Sequence, residues 1–435
     1  MDWKKMYKSK LVTASEAVTN IKSGDRVVTG HAVGEPIALV EAMVANKEYY
    51  RDVEVVHMVA MGKGDYAKEG MEPYFKVNTI FAGACTRDAV NTGRGDFTTC
   101  FFYQVPRLFE SGCMPVDVAL IQVSEPDAHG YCSFGVSSDY TKPAADCAKI
   151  VIAEVNKQMP RTMGNSFIHV SDIDFIVESD HPIIELPLPK IGEVEKAIGK
   201  NCAELVEDGS TLQLGIGAIP DAVLLFLKDK KDLGIHSEMI SDGVVELVEA
   251  GVITNKNKTL HPGKSVVTFL MGTKRLYDYA DNNPALEMYP VSYVNDPKVI
   301  MQNNQMVSIN SCVQVDFYGQ VASESIGARQ ISGVGGQVDF VRGASMSLDG
   351  KGKSIIAMPS TASKGKVSRI VPMLDEGAPV TTSRNDVDYI VTEYGIAHLK
   401  GKTNKERARA LINIAHPDFR ERLAAEFQNR FNCEF

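Results

Sequence analysis

A glutamate set among apolar and small residues is the first candidate for covalent chemistry in this chain. Glu238 lies in the segment GIHSEMISDG, residues 234–243, near the end of a predicted strand. A carboxylate held ionised against an electrophilic carbonyl can act as a covalent nucleophile. Because most glutamates are surface charges, the segment alone leaves both interpretations open. His236 would share a strand face with Glu238, where it either supports the site or has a structural role.

A first glycine loop follows another predicted strand and precedes a predicted helix that opens near Pro220. Glycines let a backbone approach a ligand closely, and a helix N-terminus favours phosphate. The loop is therefore either a phosphate-binding turn or simply a tight connection. As a dinucleotide fingerprint it is poor, because Pro220 stands where a third glycine is needed, so an NAD-dependent dehydrogenase has little support. The loop consists of Gly215, Ile216, Gly217, Ala218 and Ile219.

A second glycine loop spans residues 333–336, with the sequence GVGG, and is followed by QVDF. Several glycines in succession can direct backbone N–H groups at one point, which is the geometry that an oxyanion hole requires. A flexible turn has the same composition. Gly335 and Gly336 are the candidates for such donors if the loop is catalytic.

Composition and charge exclude some classes of protein. The chain has 435 residues, of which 46 are basic and 55 acidic, for a net charge of −9. A chain this acidic is a poor candidate for binding nucleic acid or an anionic membrane surface. No apolar run approaches the roughly 18 residues that span a bilayer, and the first residues lack the apolar core of a signal peptide. We therefore expect a cytoplasmic protein.

Several common site motifs are absent from the sequence. The eight cysteines form no C-x-x-C pair, which argues against a zinc knuckle, an iron–sulfur cluster or a disulfide framework. The sequence also contains no G-x-x-x-x-G-K-[ST], H-E-x-x-H or G-x-S-x-G. ATP-driven ligation, zinc hydrolysis and α/β-hydrolase chemistry therefore lack support, and we expect no bound metal.

Short β-branched runs that alternate with helical patterns indicate an α/β fold with mainly parallel sheets. The Pro-rich stretch 181–192 reads as a linker and places the boundary between a domain at 1–185 and a domain at 190–435. Each domain contains a strand followed by two glycines and a proline that opens a helix, which suggests two domains of related fold. The predicted strands lie at 26–30, 53–60, 116–123, 149–155, 210–216, 265–272, 354–359 and 388–395.

Long segments in both halves resemble the acetyl-CoA hydrolase/transferase family of CoA transferases. The resemblance covers nearly the whole chain, which makes it far more specific than either glycine loop. It includes VSEPDAHGYCSFG at 123–135, LGIGAIP, GIHSEMISDG, NNPALEMYPVSYVND at 282–296, INSCVQVDFYGQV at 309–321, SGVGGQVDFVRGA at 332–344, STASKGKVSRIVP at 360–372, VTTSRNDVDYIVTEYGIAHLKGKT at 380–403 and IAHPDFRERL at 414–423.

The resemblance assigns roles to individual residues. Glu238 matches the glutamate that forms a covalent thioester with CoA, and Gly335 and Gly336 match the loop whose amides face the reacting carbonyl. The first glycine loop matches a segment that contacts CoA. The family fold implies two similar open α/β domains with the active site in the cleft between them. Further positions implied to contact CoA or the acyl group are Asn295, Asn310 and Lys364.

The activity implied is transfer of CoA from an acyl-CoA, such as acetyl-CoA or butyryl-CoA, to a short-chain carboxylate such as 4-hydroxybutyrate. CoA would be a substrate and a transient covalent thioester, with no tightly bound cofactor, and the chain would form a homo-oligomer. Three alternatives remain: an acyl-CoA hydrolase, a transferase that uses butyryl-CoA and acetate, and a sugar-phosphate isomerase or ligand-sensing module on a related fold.

Overall fold

A computed structural model describes residues 2–435, which form two compact units. The first comprises residues 2–187 and Val266–Val294, and the second comprises Leu188–Ser265 and Asn295–Phe435. Residues 266–294 thus differ from the prediction, which placed them in the second domain. They pack in the first unit because strand Leu286–Met288 pairs in parallel with Met163–Gly164.

The first unit is built on a seven-stranded, fully parallel sheet. All six residues of strand Val118–Val123 are buried, as expected for a strand covered on both faces. In spatial order the strands are Phe175–Ser179, Ile150–Asn156, Val118–Val123, Arg26–Thr29, Val53–His57, Phe75–Thr79 and Gly95–Phe97. The α-helices are Trp3–Lys10, Ala14–Val18, Ile37–Ala45, Arg87–Asn91, Val105–Glu110, Thr141–Cys147, Lys274–Ala280 and Val291–Val294.

The second unit has its own sheet, which is parallel at its centre and antiparallel at its edges. Strand Gly234–Ile235 also pairs with Thr211–Leu214, in parallel. In spatial order the other strands are Met239–Ile240, Thr211–Leu214, Met306–Ser311, Lys353–Ala357, Tyr389–Thr392 and Gly395–His398. The α-helices are Glu193–Glu204, Ala218–Leu225, Asp242–Glu249, Pro297–Ile300, Gln337–Ser345, Asn404–Asn413 and Pro417–Phe431. The α/β class with mainly parallel sheets is therefore confirmed.

Short strands complete both units. In the first unit Tyr131–Ser133 pairs antiparallel with Phe167–His169. The run predicted as a strand at 265–272 forms two short strands, Ser265–Val267 and Phe269–Leu270. In the second unit the short strands are Gln314–Asp316, Val321–Ala322, Ser325–Ile326, Arg329–Gln330, Thr361–Ala362, Val367–Ser368 and Ile370–Val371.

Within residues 2–435 no helix is both long enough and apolar enough to cross a membrane. No group of three or more His, Cys, Asp or Glu side chains in the same range is arranged to hold a metal ion.

Candidate active site

Glu238 lies where the chain reverses direction at the edge of the second unit's sheet. Gly234–Ile235 runs parallel to strand Thr211–Leu214, whereas Met239–Ile240 runs antiparallel to the end of the same strand. The backbone must therefore turn between them, over residues 236–238. This turn leaves the Glu238 side chain half-buried at the carboxyl end of a parallel strand, the edge at which ligands bind in open α/β sheets.

Side-chain hydrogen bonds fix the turn on both sides. Ser237 Oγ donates to the carbonyl of Leu214 at 3.1 Å and accepts from the Leu214 N–H at 3.2 Å. Ile235 has its N–H bound by Asn255 Oδ1 at 2.8 Å and its carbonyl bound by Lys258 Nζ at 2.7 Å. Because both flanking segments are held, Glu238 is presented from a rigid frame.

His236 is completely buried beneath this turn. Its backbone N–H donates to the carbonyl of Leu212 at 3.1 Å. The centroid of its ring lies 6.4 Å from the centroid of the Phe340 ring. These contacts support the structural role for His236 and give no support to general base catalysis.

The second glycine loop brings Gly336 directly against Glu238. A Cβ built on Gly336 would lie 1.9 Å from Glu238 Oε2, far inside van der Waals contact. Gly335 has a φ of +53°, a left-handed conformation that glycine adopts readily, and Gly336 is the N-cap of helix Gln337–Ser345. The carboxylate therefore lies at the positive end of a helix, which favours its ionised form.

Asn295 holds the carboxylate from a second direction. Its Nδ2 donates to Glu238 Oε2 at 2.7 Å and to Asp339 Oδ2 at 3.3 Å, and the Asn295 side chain is fully buried. The resemblance implied that Asn295 contacts CoA or the acyl group. The structure shows that it contacts the predicted nucleophile.

Gln337 ties the second glycine loop to the sheet. Its Nε2 donates to the carbonyl of Ser311, at the end of strand Met306–Ser311, at 2.6 Å. Its Oε1 accepts from Ser323 Oγ at 2.7 Å and from Thr382 Oγ1 at 3.1 Å. Every hydrogen-bonding atom of this buried amide is thus used to place the start of the helix beside Glu238.

The first glycine loop leaves Leu214 and opens helix Ala218–Leu225. A Cβ on Gly215 would meet only Pro220 Cγ, at 4.0 Å, and Ile216 is 38% exposed, so a ligand has room against this backbone. Gly217 has a φ of +111°, outside the range open to other residues. Pro220 is the third helical residue rather than the first, which costs no hydrogen bond because first-turn N–H groups have no partner within the helix.

Asp221 lies in the first turn of the same helix. Burial raises the pKa of its carboxyl above the ordinary value, although Ser241 Oγ donates to it at 2.8 Å. The neighbouring carboxylates Asp242 and Glu246 raise that pKa further.

Two predicted residues remain, Asn310 and Lys364. Asn310, near the end of strand Met306–Ser311, is half-buried and exchanges hydrogen bonds with Gln213, with Nδ2 donating to Oε1 at 3.1 Å. Lys364 lies in the exposed turn between Thr361–Ala362 and Val367–Ser368. Its φ is +59°, and no hydrogen bond or ion pair joins it to a described residue.

Sequence reasoning missed two residues of the site, Gln337 and Asp339. Both are polar yet buried at the start of a helix whose other residues are largely apolar. A polar side chain at such a position needs a partner, and that is the signal that the segment QVDF carried.

The geometry is compatible with a carboxylate nucleophile at Glu238. Glu238 is held by an amide donor and lies at a helix N-terminus, both of which stabilise negative charge. Such a site suits acyl transfer by a carboxylate, in which no proton moves.

Comparison with known proteins agrees with this geometry. The family models of the acetyl-CoA hydrolase/transferase N-terminal and C-terminal domains match residues 1–186 and 272–427. The chain is 72% identical to a 4-hydroxybutyrate coenzyme A transferase of Clostridium kluyveri, over 99% of this chain and all of that one. It is 48% identical to a succinyl-CoA:cyclohexane-1-carboxylate CoA transferase of Geobacter metallireducens, over 98% of each chain.

A solved structure of 4-hydroxybutyrate CoA-transferase from Porphyromonas gingivalis has the same architecture. Its TM-score to this chain is 0.86 at 47% identity, and the alignment covers 99% of this chain and all of that one.

Proposed function

The chain belongs to the acetyl-CoA hydrolase/transferase family, and we propose that it transfers CoA from a short acyl-CoA to 4-hydroxybutyrate through a thioester on Glu238. Its activity as a CoA transferase follows from the family and from its relatives over the whole chain. The covalent intermediate and the identity of the acid are our proposal.

One observation supports the covalent route above the others: Oε2 of Glu238 accepts a hydrogen bond from Asn295 while lying against Gly336 at a helix N-terminus. An amide donor and a helix N-terminus stabilise negative charge on Oε2 and fix its direction. We assign the attack on the acyl carbonyl to Oε1, which leaves Oε2 in its hydrogen bond with Asn295.

The first half of the reaction converts the acyl-CoA into an enzyme thioester. Attack by Oε1 on the acyl carbonyl gives a tetrahedral oxyanion, which collapses to a mixed anhydride as CoA thiolate leaves. The thiolate then attacks the Glu238 carbonyl carbon and displaces the donor acid as its carboxylate. The products are glutamyl-CoA and a free carboxylate, and no proton is gained or lost.

Asn295 acts in the second of these steps. When the thiolate attacks the Glu238 carbonyl carbon, the negative charge develops on Oε2, the oxygen to which Asn295 Nδ2 already donates. A donor placed in advance where charge appears lowers the barrier without reorganisation. The amides of Gly335 and Gly336 are proposed to serve the oxyanion of the acyl group in the same way.

The second half of the reaction runs these steps in reverse with the acceptor acid. The acceptor carboxylate attacks the glutamyl thioester, CoA thiolate leaves, and the thiolate then attacks the acceptor's own carbonyl. Glu238 is regenerated as a carboxylate. Because one thioester replaces another, the exchange is close to energetically neutral and needs no ATP. The kinetics should be ping-pong.

The first glycine loop is proposed to bind CoA. Gly215 and Gly217 leave the backbone open beside Ile216, and the helix that follows offers its N-terminus. Asn310 lies on the neighbouring parallel strand at the same edge of the sheet. Lys364, as an exposed cation, is proposed to contact a CoA phosphate.

One experiment tests both which acid accepts CoA and whether an acid, and not water, is the acceptor. Initial rates with acetyl-CoA as donor are measured for 4-hydroxybutyrate, butyrate, acetate, succinate and cyclohexanecarboxylate, with the rate of CoA release in the absence of an acid as the reference. The proposal expects the highest kcat/KM for 4-hydroxybutyrate and slow release without an acceptor. Fast release that no acid increases would identify a hydrolase instead.

Two further expectations accompany this function. We propose that the protein works in the cytoplasm, because its eight cysteines, none of which is paired, suit a reducing compartment. We also propose that it assembles as a homo-oligomer, which size-exclusion chromatography with light scattering would test.

A further inference from the structure

The amide of Asn295 is oriented entirely through its nitrogen. Nδ2 carries two hydrogens, and they meet two acceptors, Glu238 Oε2 at 2.7 Å and Asp339 Oδ2 at 3.3 Å. Oδ1 of the same amide is buried and has no hydrogen-bond partner among residues 2–435. The carbonyl side therefore contributes nothing that holds the amide in place.

An asparagine amide has nearly the same shape when it is rotated by half a turn, so hydrogen bonds decide its orientation. In the rotated state Oδ1 would face two carboxylate oxygens, and acceptor would meet acceptor. Glu238 and Asp339 together exclude that state. Of the two side chains, Asp339 is the one that the proposed reaction leaves chemically unchanged.

The charge of Glu238 changes in each half-reaction. As a carboxylate it attracts the Asn295 N–H strongly, because hydrogen bonds to charged groups are about twice as strong as those between neutral groups. As an anhydride or thioester carbonyl it attracts the N–H weakly. At that stage the amide would be free to turn unless a second acceptor held it, and the next step needs the N–H at Oε2.

Asp339 is well placed to be that second acceptor. Its side chain is 1% exposed, and it is the third residue of the helix that begins beside Gly336. The same helix start is fixed by Gln337, whose side-chain amide donates a hydrogen bond to the carbonyl of Ser311 at the end of strand Met306–Ser311. Asp339 therefore presents its carboxylate from a fixed backbone.

We propose that Asp339 is a positioning residue that acts through Asn295, keeping the amide N–H directed at Oε2 of Glu238 while that oxygen is uncharged. The inference rests on the proposed function, because it needs Glu238 to alternate between carboxylate and thioester. Asp339 touches neither substrate nor CoA in this account, so its removal should slow the chemical steps and leave CoA binding unchanged.

A double-mutant cycle tests the inference. Asp339→Asn keeps the size of the side chain and removes its charge, and we expect kcat to fall roughly tenfold or more with little change in KM for acyl-CoA. Combined with Asn295→Ala, it should cause no further loss, because the amide through which it acts is gone. Multiplicative losses, or wild-type kcat in Asp339→Asn, would overturn the inference.

The matched control is Asp386→Asn, which removes a carboxylate that contacts Arg342 Nε, on the same helix, at 3.2 Å. It should keep wild-type kcat. Asp339→Ser is measured in the same cycle with the same criterion, so that the test does not depend on one variant folding. If Glu238→Ala transfers CoA at the wild-type rate, the proposed function fails; if only the coupling is absent, the role of Asp339 fails alone.

Discussion

Gly336 and Glu238 approach so closely that a side chain on one would occupy the position of the other. A Cβ at residue 336 would lie 1.9 Å from Oε2 of Glu238 and 2.3 Å from Nδ2 of Asn295. The φ of Gly336 is −97°, which other residues also adopt. Glycine is thus required here by the closeness of the carboxylate and its amide donor, and its backbone freedom is not the reason.

Gly336→Ala should therefore inactivate the enzyme without unfolding it. The added methyl must displace the carboxylate, the amide or the helix start, and a misplacement of about 1 Å can cost a hundredfold in rate. We expect kcat to fall by at least about that factor, measured as CoA transfer from acetyl-CoA. Gly83→Ala is the control, since its Cβ would meet only Val59 Cγ1 at 3.8 Å. Equal activity of the two variants would contradict the close contact.

Asn295→Asp should be more damaging than Asn295→Ala. Alanine removes the hydrogen bonds to Glu238 and Asp339. Loss of the bond to Glu238 alone costs about 1.5–3 kcal/mol and thus roughly a tenfold to hundredfold loss of kcat. Aspartate replaces the donor by a third carboxylate between Glu238 and Asp339 and repels both. Steady-state rates of the two variants, with circular dichroism to confirm folding, make the comparison. An aspartate variant as active as the alanine variant would show that Asn295 does not act as a donor.

Gly215→Ala tests whether CoA lies against the first glycine loop. The new Cβ meets nothing within the protein nearer than 4.0 Å, so stability should be unchanged. A ligand against this backbone would collide with it, and we expect KM for acyl-CoA to rise roughly tenfold. Gly217→Ala, at a φ of +111°, should in addition destabilise the fold by about 1–3 kcal/mol. An unchanged KM in Gly215→Ala would remove the loop from the CoA site.

His181 makes the stability of the first unit depend on pH. Its Nε2 lies 2.5 Å from Oε1 of Glu154, which is fully buried. Burial by itself lowers the pKa of His181, but the hydrogen bonds to Glu154 and to the Pro182 carbonyl outweigh it and raise the pKa above the ordinary value. A raised folded-state pKa means that the stabilisation is complete below about pH 6.5 and is lost as pH rises through the folded-state pKa.

His181→Gln removes that dependence, since glutamine still forms hydrogen bonds but does not titrate. The wild type should be more stable than the variant at pH 6, by about 1 kcal/mol or less because the side chain is partly exposed, and the difference should shrink at alkaline pH. Thermal unfolding midpoints of both proteins across this range give the measurement. A difference that grows with pH would mean that the sign assigned to this pair is wrong.

Much of the fold follows from local pattern. Apolar runs such as 116–123 predicted buried strands and parallel sheets, and the structure has a fully buried parallel strand at Val118–Val123. Residues 266–294 differ because pairing between Leu286–Met288 and Met163–Gly164 is a contact distant in sequence. Local periodicity carries no information about such a pairing.

The site also contains residues that the sequence indicated and contacts that only the structure shows. Glu238 and Gly336 were found because long motifs resembled a family, and the structure brings these two together. The contact of Asn295 with Glu238 joins residues 57 positions apart, so no spacing could predict it. The only sequence signal for Asp339 and Gln337 is that they are polar residues in a largely apolar helix. The contacts of Lys364 with CoA and the cleft between the domains stay predictions.

Removal of the nucleophile gives a plain expectation. Glu238→Gln and Glu238→Ala should lose CoA transfer by at least about a thousandfold, since a covalent step has no substitute in this mechanism. CoA binding, measured by calorimetry, should remain. Residual transfer near the wild-type rate would contradict a covalent role for Glu238.

Chemical trapping of the thioester tests the central claim most directly. The enzyme is incubated with acetyl-CoA in the absence of an acceptor acid, treated with borohydride, digested and analysed by mass spectrometry. Reduction of a glutamyl thioester releases CoA and converts the side-chain carboxyl to an alcohol. We predict irreversible inactivation with this change at Glu238 and nowhere else, and none in Glu238→Ala. Full activity after the treatment, or the reduced side chain at another residue, would contradict the mechanism.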